Sequence, residues 1–282
     1  MPEYPARHEH FTSPDGLGIF YRRYQATDER ARLVIAHGLG EHSGRYGTVA
    51  GRLLSRGISI WAPDHRGHGR SDGPRGHVSS FYQYVDDLHT MVALAREHLP
   101  EGMKIFLLGH SMGGLIALRF AVRFPGVIDG LIISSPALGV PQKPSPILNG
   151  IARILSLLRP AFSFSNGLDA SKISHDEAVV RAYLDDPLVH TRVSARWFTE
   201  FIAAMEAANR TVPEMKTPIL MQIAGDDYLT SASASKRFFD AITVADKTFC
   251  LYEGFYHEVY NEKEQRRVRV LDDLESWFMG HI

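Results

Sequence analysis

Six short runs of aliphatic, β-branched and aromatic residues punctuate the chain: 32–37 (RLVIAH), 58–64 (ISIWAPD), 104–109 (KIFLLG), 130–136 (GLIISSP), 218–225 (PILMQIAG) and 247–254 (KTFCLYEG). Each ends at turn residues, as strands buried on both faces of a parallel sheet do. Residues 8–24 differ. They alternate about a Pro-Asp-Gly turn, which predicts an antiparallel hairpin at the sheet edge. Helical periodicity fills the gaps, at about 46–56, 82–98, 112–123, 233–242 and 263–279. In 82–98, for example, Tyr84, Leu88, Met91, Val92 and Ala95 fall at spacings of three and four. Strands alternating with helices predict an α/β fold: a mostly parallel sheet with helices on both faces.

The interval between the runs ending at 136 and beginning at 218 is too long for one crossover helix. Residues 138–212 therefore read as a helical insertion above the sheet, dividing the core into 1–137 and 213–282. Its stretch 146–164 is strongly apolar, with Ile147, Ile151, Ile154, Leu155 and Leu158 at helical spacing. Such a helix can pack on the core, line an apolar channel or lie on a lipid surface.

Composition narrows the function classes. Lys+Arg number 31 against Asp+Glu 32, and no like-charged block occurs, so nucleic acid is not an expected partner. Cys250 is the sole cysteine, which rules out an intrachain disulfide and fits a reducing compartment. The first residues hold no apolar signal-peptide core, and no run approaches the roughly 18 apolar residues of a membrane span. These features lead us to expect a soluble, cytoplasmic protein.

The chemistry gathers at "GHSMGG". Gly109-His110-Ser111-Met112-Gly113 matches Gly-x-Ser-x-Gly, and it follows a predicted strand and opens a predicted helix. In that setting the pattern resembles the nucleophile elbow of α/β-hydrolases, where a sharp turn lifts the serine above the sheet. A serine hydroxyl needs a base to take its proton and a third group to orient that base. In such folds both follow the serine, acid before base. Of the four later histidines, His175 and His190 fall in the insertion and His281 at the end of the chain, leaving His257. The acid comes from "GDDYLTS". Asp227 lies further into the loop and is expected to face His257, with Asp226 holding the loop through backbone hydrogen bonds.

An acyl-transfer intermediate also needs backbone N–H donors for its oxyanion. Met112, next to the serine, supplies one. Leu39, in the loop "HGLGEHSGRY" after the first parallel strand, supplies the other. Gly38-Leu39-Gly40 faintly suggests a dinucleotide fingerprint, but the glycine required at 43 is Ser43. His65 and His68 stand three apart, but no carboxylate or cysteine set completes a metal site. The chemistry calls for no cofactor and no metal.

Taken in order, "HGLGEHSGRY", "DHRGHGRSDGPRGH", "GHSMGG", "GDDYLTS" and "YEGFYHE" make the chain similar to the monoacylglycerol lipase and lysophospholipase branch of the α/β-hydrolases, grouped with the S33 serine aminopeptidase-like hydrolases. The resemblance implies Ser111, Asp227 and His257 as a triad, Leu39 and Met112 as oxyanion donors, and Glu41, Arg45 and His110 at the polar end of the substrate pocket. Loop-fixing hydrogen bonds are the other role open to those three residues. It implies a lipid ester substrate, most simply a monoacylglycerol, with a lysophospholipid or a general carboxylic ester next and a prolyl peptide more remote. It also implies that the insertion is a cap giving an apolar channel through Ile147, Ile151 and Leu155, with transient contact to a membrane or micelle. In one respect the chain departs from the family pattern: a second carboxylate, Asp226, stands where a small residue is usual.

Overall fold

A computed structural model describes residues 4–140 and 146–282; the side chains of 146–149 and of Pro213 are outside the description. Strands β1 (Arg7–Thr12), β2 (Gly18–Tyr24), β3 (Ala31–Ala36), β4 (Ile58–Pro63), β5 (Lys104–His110), β6 (Gly130–Ser134), β9 (Ile219–Ala224) and β10 (Lys247–Tyr252) form one eight-stranded sheet. Its order is β1-β2-β4-β3-β5-β6-β9-β10. Its antiparallel pairings are β1–β2 and β2–β4, which make the edge hairpin expected from the sequence. This is the α/β-hydrolase arrangement.

The continuous apolar runs are explained by burial on both faces. On β3, Val34 and Ala36 enter one core cluster while Leu33 and Ile35 enter the other. On β5, Ile105 and Leu107 go one way, Phe106 and Leu108 the other. Helices α2 (Tyr82–Arg96), α3 (Met112–Arg123) and α7 (Ala232–Ala241) cover the first face; α1 (Gly47–Leu54) and α8 (Glu264–Met279) cover the second. The spacing expected of α2 holds, with Tyr84, Leu88, Met91, Val92 and Ala95 all buried.

Between β6 and β9 lie α4 (Pro146–Leu158), β7 (Ser163–Ser165), α5 (Glu177–Asp185), β8 (Arg192–Ser194) and α6 (Ala195–Thr211). The short strands β7 and β8 pair antiparallel in a sheet of their own. The segment is tied to the loops at the sheet's C-terminal edge by backbone bonds from His190 N–H to Gly40 O (2.9 Å) and from Glu258 N–H to Ile173 O (2.8 Å). Because β3, β5, β9 and β10 run parallel, the loops that follow them emerge on one edge. That edge carries every residue singled out above as reactive. No helix among the described residues is long and apolar enough to cross a membrane.

Candidate active site

Ser111 stands between β5 and α3 with φ 54° and ψ −117°, a left-handed conformation that costs a non-glycine residue roughly 1–3 kcal/mol. Three backbone bonds hold it: Ser111 N–H to Ser134 O (3.0 Å), Ala137 N–H to Ser111 O (3.0 Å) and Leu115 N–H to Ser111 O (3.1 Å). The flanking glycines are explained by crowding. A Cβ on Gly109 would meet Gly113 O at 2.4 Å, and one on Gly113 would meet Ala36 O at 2.1 Å. The elbow can form only because both side chains are missing.

Asp227 and His257 meet as expected. His257 Nδ1–H donates to Asp227 Oδ2 at 2.7 Å, between side chains 5% and 1% exposed. Since Nδ1 is committed to the carboxylate, Nε2 is the nitrogen left for the serine. Ser111 and His257 line the same cavity. Burial opposes charge on His257, but the Asp227 carboxylate and its hydrogen bond outweigh it and hold the imidazole above its ordinary value. Burial likewise opposes charge on Asp227. The His257 imidazole and the donors of Thr230 outweigh it, and the carboxyl sits below its usual range.

The aspartates add one feature to the expectation. Asp226 does make a backbone bond, but the side-chain bonds that hold the loop belong to Asp227. Asp227 Oδ1 accepts from Leu229 N–H (2.8 Å) and Thr230 N–H (2.9 Å), and Oδ2 accepts from the Thr230 hydroxyl (2.8 Å). An Asp whose side chain bonds backbone two and three residues on makes its own turn, so one side chain both shapes the loop and orients the His257 ring. Asp226 is exposed; its contribution is a backbone bond from its N–H to Phe255 O at 3.0 Å. Of the Tyr-Leu pair that follows, Leu229 turns into the cavity while Tyr228 stays 55% exposed.

Leu39 and Met112 both line the cavity. Met112 opens α3, so its amide is among the first-turn N–H groups that a helix leaves unpaired internally. The Leu39 peptide is fixed from behind. His37 Nδ1–H donates to Gly38 O at 2.7 Å, since His37 Nε2 accepts from His65 N–H at 2.8 Å. A trans peptide points its N–H opposite its C=O, so anchoring the Gly38 carbonyl aims the Leu39 amide away from His37. Burial lowers the His37 pKa to about 3, which keeps the ring neutral in this role. His65 and His68 are buried in the same stack of imidazoles: His37 and His65 lie 4.2 Å apart, and His68 packs 4.6 Å from His190 of the insertion.

Glu41, Arg45 and His110 line the cavity, and each is also held in a buried network. Glu41 Oε1 accepts from Gly38 N–H (2.5 Å) and the Tyr46 hydroxyl (2.9 Å); Oε2 accepts from Arg45 Nη1 (3.0 Å). Arg45 also donates to both oxygens of Glu258, at 2.6 and 2.7 Å. The loop-fixing role is therefore real for Glu41 and Arg45. His110 Nδ1 lies 3.1 Å from the Ser134 hydroxyl and its ring 4.7 Å from that of His257. Burial first, then the neighbouring His257, pull His110 down to about 4. Glu258 was not singled out from the sequence. Burial opposes its charge, yet the bidentate Arg45 keeps its carboxyl below the usual range. Nothing in "YHE" shows that its acid pairs with an arginine 213 positions away. Thr230 was also missed, although an Asp with a Thr three residues later is a readable turn signal.

The cavity is about 200 Å³ in volume, and most of the rest of its lining is apolar. Its wall comes from Phe164 of β7, Leu168, and Trp197, Phe198, Phe201 and Ile202 of α6. The α4 channel expected from the sequence is not among the described residues: Ile151 faces solvent, Leu155 does not line the cavity, and the Ile147 side chain lies outside the description. α4 packs on α6 through small residues, Ala152 and Ser156, the latter 2.8 Å from the Thr199 hydroxyl. That leaves Ile151, Ile154, Leu157 and Leu158 facing outward.

Residues 27–264 match the serine aminopeptidase S33 family. The chain is 37% identical over 279 residues to a monoacylglycerol lipase of Mycolicibacterium smegmatis, covering 98% of each. It is 31% identical to human monoglyceride lipase over 95% of this chain and 89% of that one. The crystal structure of a Paleococcus ferrophilus monoacylglycerol lipase superposes with a TM-score of 0.85 at 35% identity, covering 94% of this chain and 99% of the other. This chain belongs to the serine aminopeptidase S33 family and carries its α/β-hydrolase fold.

Proposed function

We propose that the chain is a serine ester hydrolase that cleaves monoacylglycerols to fatty acid and glycerol. The observation that carries this reading is one cavity lined by two unlike sets of side chains. Ser111 and His257 share it with the buried, hydrogen-bonded group of Glu41, Arg45 and Glu258 and with His110, and most of the remaining lining is aliphatic and aromatic. His257 Nε2 takes the Ser111 proton, and the alkoxide attacks the ester carbonyl. The N–H groups of Leu39 and Met112 hold the oxyanion. His257, its charge balanced by Asp227, then protonates the leaving glycerol oxygen. Water repeats the sequence on the acyl-enzyme and frees the fatty acid. The glycerol hydroxyls meet the Glu41 and Glu258 carboxylates, His110 and the Tyr183 hydroxyl; burial raises Tyr183 to about 12, so it stays a donor.

Residues 138–212 act as a cap whose α6 wall takes the acyl chain. Outward, Ile154, Leu157 and Leu158 of α4 are 58%, 74% and 76% exposed, and Phe162, just past the helix, is exposed too. A patch of this kind suits transient contact with the lipid surface that holds the substrate.

The polar lining disfavours the other substrates. A lysophospholipid phosphate needs a cation, and Arg45 is already shared by two carboxylates. A prolyl peptide needs a free carboxylate for its amine. Glu200 accepts from Phe81 N–H and faces Arg196, Glu206 faces Arg210, and Glu214 does not line the cavity. The test is a hydrolysis panel on purified protein: monoacylglycerols of several lengths, a diacylglycerol, lysophosphatidylcholine, a p-nitrophenyl ester and a proline arylamide. Monoacylglycerols should give the highest kcat/KM among the natural ester classes. A higher value for lysophosphatidylcholine, or cleavage of the arylamide alone, would reject the reading.

A further inference from the structure

Two tyrosines border the acid and the base along the chain: Tyr228 follows Asp227, and Tyr256 precedes His257. Their rings meet edge to face, with centroids 5.5 Å apart at 88°. Lys172, on a short turn of the insertion, places its Nζ 4.8 Å from the Tyr228 ring and 5.6 Å from the Tyr256 ring. Three residues on, His175 stacks against Tyr256 with centroids 3.6 Å apart. The same stretch is bonded to the base loop. His175 Nδ1–H donates to the buried Glu262 Oε1 (2.6 Å), which also accepts from Tyr256 N–H (2.9 Å), and Ser174 Oγ donates to Asn261 O (2.9 Å). Toward the acid loop the links are fewer: Leu229 against the apolar cluster of Ile173, Val179 and Tyr183, and the lysine over Tyr228.

We propose that Lys172, Tyr228 and Tyr256 are positioning residues: the insertion's lysine and the aromatic pair clamp the acid loop to the base loop and so hold the Asp227–His257 hydrogen bond. A cation over two ring faces attracts both through their quadrupoles. Tyr228 and Tyr256 are the chain neighbours of Asp227 and His257, so movement between the rings becomes movement between acid and base. The insertion thereby serves the reaction as well as the substrate. This inference rests on the triad reading above.

Tyr228→Leu is the informative variant, because the residue is half-exposed and its loss leaves the core untouched. Tyr228→Phe keeps the ring. The readouts are the low-field NMR resonance of the His257 Nδ1–H, the pH dependence of kcat/KM, and kcat separately from KM on a soluble ester. Tyr228→Leu and Lys172→Met should each broaden the resonance and lower kcat about threefold, with KM unchanged. In Tyr228→Leu the acid limb should also shift to lower pH. Tyr228→Phe and Lys172→Arg should restore wild-type behaviour. A resonance and acid limb unmoved in Tyr228→Leu would overturn the clamp, as would equal losses in Leu and Phe. Failure of the triad reading looks different: the wild-type chain would hydrolyse no ester in the panel.

Discussion

The loops that present Ser111, Asp227 and His257 and the insertion above them place their residues by different means. Each loop residue is fixed by several directional bonds: three at the Ser111 backbone, four at the Asp227 carboxylate. The insertion makes its cavity wall by apolar contact along α6, while α4, the more apolar of the two in sequence, presents Ile151, Ile154, Leu157 and Leu158 to solvent. Where bonds fix a position, one atom decides the outcome. Where packing fixes it, size decides, and neighbours can compensate. Substitutions in the two regions should therefore differ in magnitude and in kind.

The largest effect belongs to Asp227. Asp227→Asn should lower kcat by about 10⁴-fold, whereas Asp226→Asn should change it less than about twofold. The pH profile sharpens the contrast. The wild-type base works when neutral, so activity falls as pH drops through a His257 value raised above 6.5. In Asp227→Asn the raising charge is gone and burial remains, so the acid limb of kcat/KM should move to lower pH. An upward move, or the opposite ranking of the two variants, would contradict the assignment.

Glu258→Gln comes next. Breaking a buried ion pair on one side costs on the order of 3–5 kcal/mol, here eased by Glu41, which still holds Arg45. Denaturant titration should show the loss near neutral pH. The Glu258 carboxyl is lowered in the fold, so its contribution is present above its ordinary 4.5 and disappears as pH falls through the lowered value. Variant and wild type should therefore converge in stability on acidification.

Smaller again is Phe198→Ala on α6. It should cut kcat/KM for long-chain monoacylglycerols about tenfold and leave an acetate ester nearly unchanged, because only a long chain reaches that wall. Equal losses on both would show that α6 positions the reaction and not the chain. The smallest effect in solution belongs to α4. The double variant Ile154→Lys with Leu157→Lys should keep wild-type rates on a soluble ester and lose cosedimentation with phosphatidylcholine vesicles. Unchanged vesicle binding would remove α4 as the lipid contact.

The same division explains what the sequence alone could reveal. Strands β3, β4, β5, β6 and β9 were readable to within a few residues because both faces are buried and the run of apolar residues is unbroken, whereas the β1–β2 hairpin was readable from its alternation about a turn. The residual errors have local causes. The run 130–136 ends as β6 at Ser134 because Ser135 takes φ 38°, and the run 247–254 ends as β10 at Tyr252 ahead of Gly254 at φ 73°. Ser111, Asp227 and His257 were readable because chain order and turn chemistry are local. Glu258 was not, since its partner Arg45 is remote in sequence. The direction in which α4 faces was not either, because helical periodicity reports an apolar stripe and not what it covers. Strands β7 and β8, three residues each, are too short to carry a period at all.

The central claim is that a monoacylglycerol ester is cleaved through an acyl group carried on Ser111. Rapid acid quench during turnover of a long-chain monoacylglycerol, followed by peptide mass spectrometry, tests it most directly. The acyl mass should appear on the peptide containing Ser111 and be absent from Ser111→Ala, which should release no fatty acid above background. Continued turnover by Ser111→Ala, or an acyl adduct on any other residue, would contradict the account.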